Sequence, residues 1–593
     1  MGVIRLLVGV LRAYAPFGSL RQEAMGVIGL LACLGLGAAG FAQTAGVVTS
    51  AAPQTPSAGE RSEVTDPKQL CKVEGRVVNA VTGEPLRKVS LTLRRMAASA
   101  DTLIATSDQE GRFVFENVEP GTYQLIAERA GFLRQAYGSR SLPYAGTPIA
   151  LSAGQHLKEL EFKLLPQGVI SGRVVDEEGE PVPQVQVMAV RPGRGRAGAS
   201  LRGSAMSNDV GEFRISGLAP GRYLLRAMPM GRLRLFAETV RPGNPNVPEE
   251  GFLPTYYPSA PDPEGAAAVE VGAGQEVPGI TILLRKGPLY RIQGRVVGLT
   301  AERPASQVRV AVVPRGRDVA FMGMSASPGA SVQADGSFLL TGVAPGSYYV
   351  TVTTFPGLLR ALARVPVEVT SSDLKDVIVP MGASLTLSGT VRVEGEQKRE
   401  LGTVRAGLAP VEGVAFSPLS AEVKADGTFQ IQDVMPDKYY VNVSASQGDV
   451  YVKSLRIGGR EAPDRELDLS NAEGHVQIEI VLSPQAATLE GTVMDGDKPA
   501  AGMFVVLAPE PFREEQQYLV RSAVSDQNGR FQLRALRPGE YRLYAFEDPE
   551  VAYDRSPEAL KPFEQHALKV TLKEGERQAV QAGVLKAREA GAR

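Results

Sequence analysis

His156 and Glu159, in the stretch His156-Leu157-Lys158-Glu159, have the spacing with which one segment offers two ligands to a zinc ion. A catalytic zinc needs a third protein ligand converging on the same open site. Of the three histidines only His475 and His566 remain for that role, and neither has supporting neighbours. The segment also reads as a closing hairpin, and one repeat later Glu276 and Gly279 stand in the matching places. A solvated turn explains the pair, and no metal or cofactor is expected. Cys71 precedes an apolar alternating stretch and has no nearby activating base, which a nucleophilic thiolate requires. The acidic turns Asp176–Glu180 and Asp495–Asp497 lack the regular ligand spacing of a calcium loop. No Gly-x-Ser-x-Gly elbow, phosphate loop or paired-cysteine motif occurs. Catalysis is not expected.

Recognition chemistry has a better candidate in residues 241–265, RPGNPNVPEEGFLPTYYPSAPDPEG. A proline-rich loop of this length inside a compact domain is more often functional than a short one. Phe252, Tyr256 and Tyr257 supply rings that can stack on a sugar or anchor a protein partner, a tyrosine joining an apolar face to a polar tip. The same rings serve equally to cover an open sheet edge or a neighbouring domain. A shorter counterpart, residues 131–146, carries Tyr137 and Tyr144.

The elements that must position these residues are written in a repeat. Five times a Gly-x-Phe is followed ten residues after the Phe by a Tyr: Phe113/Tyr123, Phe213/Tyr223, Phe338/Tyr348, Phe429/Tyr439 and Phe531/Tyr541. Pro-Gly stands between them at 120–121, 220–221, 345–346 and 538–539, with Pro436-Asp437 in the fourth copy. Proline presets the second position of a turn and glycine takes the positive φ of a type II turn. Apolar residues then alternate, as at Tyr541, Leu543 and Ala545, the period of a strand with one buried face. A Gly-x-Val opens each copy 38 to 44 residues before the Phe, at Gly75, Gly172, Gly294, Gly389 and Gly491. A further strand pair closes each copy. The rings read as core.

Length and composition agree. A chain of 593 residues is too long for one core, and 64 glycines with 42 prolines favour turns and short strands over helices. The 64 basic and 65 acidic side chains cancel, leaving no concentrated positive face for a nucleic acid. The reading is an all-β fold, a tandem array of five antiparallel Ig-like sandwiches at 71–167, 168–288, 289–383, 384–486 and 487–593. Near the end, Ser556-Pro557 has the form of a helix N-cap followed by a first-turn proline.

Residues 1–42 differ in kind. Arg5, Arg12 and Arg21 precede an apolar run from Met25 that ends in small residues at Gly40-Phe41-Ala42, the form of a secretory signal cleaved after Ala42. A retained membrane anchor, or lipidation at Cys33, is the rival reading, and any membrane contact is expected through this segment alone. Residues 43–70 form a Pro/Ser/Thr-rich linker. The protein is expected to be exported, to periplasm, outer surface or medium. With Cys33 removed, Cys71 is left without a disulfide partner.

GRVVNAVTGEPLRKVSLTL, followed by SDQEGRFVFENVEPGTYQLIAERAGF, resembles the carboxypeptidase regulatory-like domain, a prealbumin-like sandwich related to the Cna-B and carbohydrate-binding-like folds. The resemblance extends over about residues 71 to 593. It implies a domain that accompanies peptidases, receptors and adhesive surface proteins without being catalytic. Cna-B relatives can form Lys–Asn crosslinks, but the closing strands here lack an Asn at a shared inward position. The function so implied is an exported, non-enzymatic envelope scaffold or binding protein with protein or glycan partners. The alternatives are a carbohydrate-binding protein, or a regulatory module of a peptidase or outer-membrane receptor.

Overall fold

The computed structural model describes residues 69–586 apart from 97–101, 140–145, 193–199, 230–248, 302, 316–328, 355–360, 382–384, 396–402, 412–418, 447, 549–551 and 553–555. The leader, nearly all of the linker, Tyr144 and residues 241–248 of the long loop lie outside these. Among the described residues no helix is long and apolar enough to cross a membrane.

One pair of sheets recurs along the chain. In the first sandwich the Gly-x-Val strand Cys71–Asn79 lies between Arg112–Val118, antiparallel, and His156–Leu164, parallel. The facing sheet runs Thr102–Thr106, Ser90–Arg95, Gly121–Glu128, with Ile149–Leu151 on the far edge. The same arrangement centres on Gly168–Val175, Lys286–Val297, Leu385–Val393 and Ala487–Asp495. Each sheet pair encloses its own apolar cluster.

The parallel pairing departs from the purely antiparallel expectation and has a simple origin. The two closing strands, such as Ile149–Leu151 and His156–Leu164, do not form a hairpin. The turn between them crosses from one sheet to the other, so the last strand arrives beside the first in the same direction.

The repeated rings line these cores. Phe113, Phe213, Phe338, Phe429 and Phe531 are each 6% exposed or less, as are Tyr123, Tyr223, Tyr439 and Tyr541, while Tyr348 is half-buried. Each Phe sits directly across from the Gly of Gly-x-Val: Gly75 opposite Phe113, Gly172 opposite Phe213, Gly294 opposite Phe338, Gly389 opposite Phe429, Gly491 opposite Phe531. A Cβ at Gly294 would lie 2.7 Å from the Phe338 ring and one at Gly491 2.6 Å from the Phe531 ring, so the ring covers the bare backbone. The two motifs seen separately in the sequence are one contact.

Each Tyr, in turn, donates its hydroxyl to the carbonyl four residues earlier: Tyr123 to Glu119 at 2.9 Å, Tyr223 to Ala219 at 2.5 Å, Tyr348 to Ala344 at 3.0 Å, Tyr439 to Met435 at 3.0 Å and Tyr541 to Arg537 at 2.7 Å. A phenylalanine would fill the core and leave that carbonyl unmet. Burial raises the phenol pKa of Tyr223 and Tyr348, and that of Tyr541 to about 12. The turn glycines Gly121, Gly221, Gly346 and Gly539 take φ of 155°, 152°, 155° and 154°, more extended than a type II turn. The left-handed residue instead comes four positions earlier, at Asn117, Gly217, Gly342, Asp433 and Ala535, next to a register shift in the strand pairing.

Candidate functional site

The long loop of the second sandwich folds into structure. Glu249–Phe252 is a strand, and it pairs antiparallel with Lys286–Leu289, the start of the central strand of the third sandwich. Thr255–Tyr256 then pairs with Arg226 and Ala227 on the edge of the second sandwich's own sheet. Tyr256 is 7% exposed, with the Arg226 guanidinium 5.6 Å from its ring centre. Tyr257 and Phe252 are half-buried against the core of the second sandwich, and the Lys286 ammonium lies 5.6 Å from the Phe252 ring. The three rings therefore present no shared open platform for a ligand. The loop belongs to both sandwiches at once, filling an edge of one and adding a strand to the other. In the first sandwich Tyr137 folds onto its own core, packing edge-on against Phe162 with ring centres 5.9 Å apart.

The next two junctions are joined by side chains. Arg303 and Arg364 of the third sandwich pair with Asp433 and Asp437 of the fourth, the second pair at 2.5 Å with each side chain less than a quarter exposed. Asp437 is the residue that replaces the turn glycine in the fourth copy, so that departure has a partner across the junction. Between the fourth and fifth, Tyr451 donates to the Glu574 carboxylate at 3.1 Å and Arg534 pairs with Asp449 at 2.8 Å. Arg465 stacks over Tyr518 at 4.4 Å, and burial, with Arg521 and Arg537 nearby, pulls its pKa down to about 10. The first and fifth sandwiches touch as well: the Gln527 amide accepts from the Ala150 N–H at 2.9 Å and donates to the Ala150 carbonyl at 2.7 Å.

The chemistry-bearing residues do not assemble. His156 Nε2 lies 3.1 Å from Glu74 Oε2, the other oxygen of that carboxylate holds Lys72, and Glu159 occupies a left-handed backbone position at φ 58°. His475 is beside Ser388 in the fourth sandwich and His566 lies in the short helical segment of the fifth. Among the described residues no group of three or more His, Cys, Asp or Glu side chains is placed to hold a metal ion. Cys71 is buried, its thiol donating to the Ser152 carbonyl at 3.0 Å. The helix expected after Ser556 is present as Pro557–Leu560, the Ser556 hydroxyl accepting from the Ala559 N–H at 3.2 Å.

Sequence reasoning missed what this helix covers. Phe504–Pro509, the second-sheet strand of the fifth sandwich, is buried on both faces. Its outer face forms a second core with Tyr544, Phe546, Leu560 and Phe563. The unbroken apolar run Phe504-Val505-Val506-Leu507-Ala508 was the available signal, since a strand covered on both faces loses its alternation.

No curated protein matches the sequence. Solved structures similar to the chain include the Bacillus anthracis TIE protein, at 9% identity over 84% of this chain and 75% of that one, TM-score 0.15. GBS52, the minor pilin of Streptococcus agalactiae, is 15% identical over 36% of this chain and 97% of that one, TM-score 0.20. BcpA, the major pilin subunit of Bacillus cereus, is 9% identical over 52% and 99%, TM-score 0.14. Likenesses with TM-scores this low carry nothing about function. The family model of the carboxypeptidase regulatory-like domain matches residues 72–165 and 169–247. These are the residues whose Gly-x-Val strand, Phe and corner Tyr build the first sandwich and most of the second, and both segments are carboxypeptidase regulatory-like domains.

Proposed function

We propose that the protein is an exported, non-catalytic scaffold of five separately folding sandwiches that engages protein or glycan partners at the cell envelope. The observation that carries this reading is how the chain's one large insertion is spent. Instead of framing a pocket, residues 249–257 brace two sandwiches, and ion pairs brace the next junction. Such construction suits a part that holds surfaces in place. The leader-like sequence at 1–42 supports export. Binding falls to exposed edges, where unpaired main-chain groups accept another strand. Thr102–Thr106 is such an edge, with Ile104 turned outward and 72% exposed.

Affinity capture from envelope fractions, together with glycan-array screening of the full chain, tests the reading. A specific protein or glycan is expected to bind saturably, and Ile104→Lys is expected to weaken a protein partner that adds to this edge. Hydrolytic turnover of peptide or glycan substrates by the purified chain would overturn it.

A further inference from the structure

Where the first and fifth sandwiches meet they leave a cleft of about 210 Å³. One wall comes from the first sandwich, with Met96, Pro148 and Gln124. The other comes from the outer face of the fifth, with Phe504, Val506 and Ser522. The fifth sandwich has covered most of that outer face with its own helix and turns, yet Phe504 and Val506 reach the cleft, so the second core of this sandwich ends at an opening. Sites for small molecules favour such borders between compact units, with apolar walls and a few placed polar groups.

We infer that this cleft binds a small neutral aromatic molecule carrying one hydrogen-bond acceptor. Size, wall chemistry and the free polar group each point there. An apolar cavity of about 150 Å³ stays dry and takes benzene, so this one has room for a substituted ring or a compact bicycle. Met96 offers a polarizable thioether, a favourable partner for an aromatic ring, and Phe504 and Val506 make the facing wall apolar. Gln124 supplies the polar complement. Its carbonyl oxygen is occupied by the Arg94 guanidinium at 3.1 Å, and its NH₂ has no partner among the described residues. The cleft therefore presents a donor, and the ligand must bring the acceptor. Because the walls belong to two sandwiches, a bound molecule also holds them together. The Ala150–Gln527 hydrogen bonds and the ligand then favour the same closed contact, each strengthening the other by mass action.

Acetophenone is the probe: a single ring with a carbonyl acceptor. Titrated into the full chain by calorimetry and ligand-observed NMR, it is expected to bind saturably. Ethylbenzene, nearly the same shape without the acceptor, is expected to bind roughly two- to tenfold more weakly, the worth of one net hydrogen bond. Methyl glucoside is expected not to bind in this cleft. Met96→Trp and Ser522→Trp fill the cleft from opposite walls, and each is expected to lower acetophenone affinity at least about tenfold. Met96 is 59% exposed, so its variant keeps the fold even if Ser522→Trp does not. Gln527→Ala, outside the cleft lining, is expected to weaken binding several-fold by loosening the contact. Absence of saturable acetophenone binding, binding unchanged in the filled variants, equal affinity for ethylbenzene, or methyl glucoside taking the cleft would each overturn the assignment.

Discussion

In the first, second and fifth sandwiches a buried serine stands six residues before the repeated phenylalanine, at Ser107, Ser207 and Ser525; the third and fourth have Val332 and Val423 there. The serine works in both directions. Ser525 donates to the Ala500 carbonyl at 2.7 Å and accepts from the Met503 N–H at 2.9 Å. Ser107 does the same with Leu86 and Val89, and Ser207 with Val182 and Val185. In each case it pins the loop between the first two strands, which folds back to bridge the Gly-x-Val strand, as Val78 to Pro85 and Val175 to Pro181. The third sandwich carries a 3-10 turn, Ala305–Gln307, in that loop, and Val332 joins the core against which Ala305 packs. In the fourth, the Val423 N–H donates to the Val404 carbonyl at 2.8 Å. The same station is a polar staple in the three sandwiches where the loop bonds to the serine and an apolar plug packed on the core in the other two. One sandwich plan therefore tolerates two ways of closing its open end, while the Gly–Phe–Tyr contact stays constant.

The constant part should give the largest effects in both classes. Phe531→Ala in a stapled sandwich and Phe429→Ala in a plugged one each remove a buried ring and expose the strand glycine opposite. Each is expected to cost about 3–5 kcal/mol. Hydrogen exchange in the full chain, read at the strands around each site, measures the loss sandwich by sandwich. A plugged sandwich that lost nothing would break the claim of a common core.

The staple itself comes next. Ser525→Ala leaves the Ala500 carbonyl and the Met503 N–H without their partner in a fully buried place, and about 1–3 kcal/mol is expected to go. The exchange of residues 498–503 should report it first. The reverse swap, Val332→Ser, puts a hydroxyl into the apolar core against which Ala305 packs and is expected to cost about the same. If Val332→Ser were neutral, the distinction between staple and plug would not hold.

Much of this was legible in the residues, because periodicity and spacing report on local geometry. The ten-residue Phe-to-Tyr interval and the preceding Gly-x-Val mark strands, turns and the inner face, since a strand can bury only alternate residues. What escaped reading were relations between segments. Nothing in Glu249-Glu250-Gly251-Phe252 names Lys286–Leu289 as its partner, because main-chain pairing carries no side-chain code. The parallel last strand depends on where a four-residue turn crosses, and the contact of Ala150 with Gln527 joins segments 377 residues apart. The loop's tyrosines could face water or fold inward; position alone did not separate these, and Tyr256 lies inward.

A smaller effect tests the strand distortion shared by both classes. The left-handed position before each turn holds Asn117, Gly217, Gly342, Asp433 and, in the fifth sandwich, Ala535. Asn, Gly and Asp accept that conformation, whereas an alanine Cβ crowds the following carbonyl at a cost of about 1–2 kcal/mol. Ala535→Gly relieves the strain but frees the unfolded chain, so a net gain of about 0.5–1 kcal/mol is expected, seen as slower exchange in residues 530–541.

The finest separation between the classes is electrostatic. Asp108, in a stapled sandwich, accepts from the Arg112 N–H at 2.7 Å, and that main-chain bond is the main cause holding its carboxyl below the ordinary range. Asp335 and Asp426, in the plugged ones, are held low chiefly by the Ser337 and Thr428 hydroxyls, both at 2.7 Å. All three are depressed in the folded state, so whatever stability they contribute is present above the unfolded aspartate value and is lost as pH falls through the lowered folded values. Their exposure keeps that contribution small. The side-chain dependence is what distinguishes them. Carboxyl NMR titration of Ser337→Ala should show Asp335 moving up toward the ordinary value, whereas Arg112→Ala keeps the backbone donor and should leave most of the depression at Asp108. Equal shifts in the two variants would mean that the turns before the phenylalanine are held in the same way throughout, and the division between sandwiches would then rest on the serine alone.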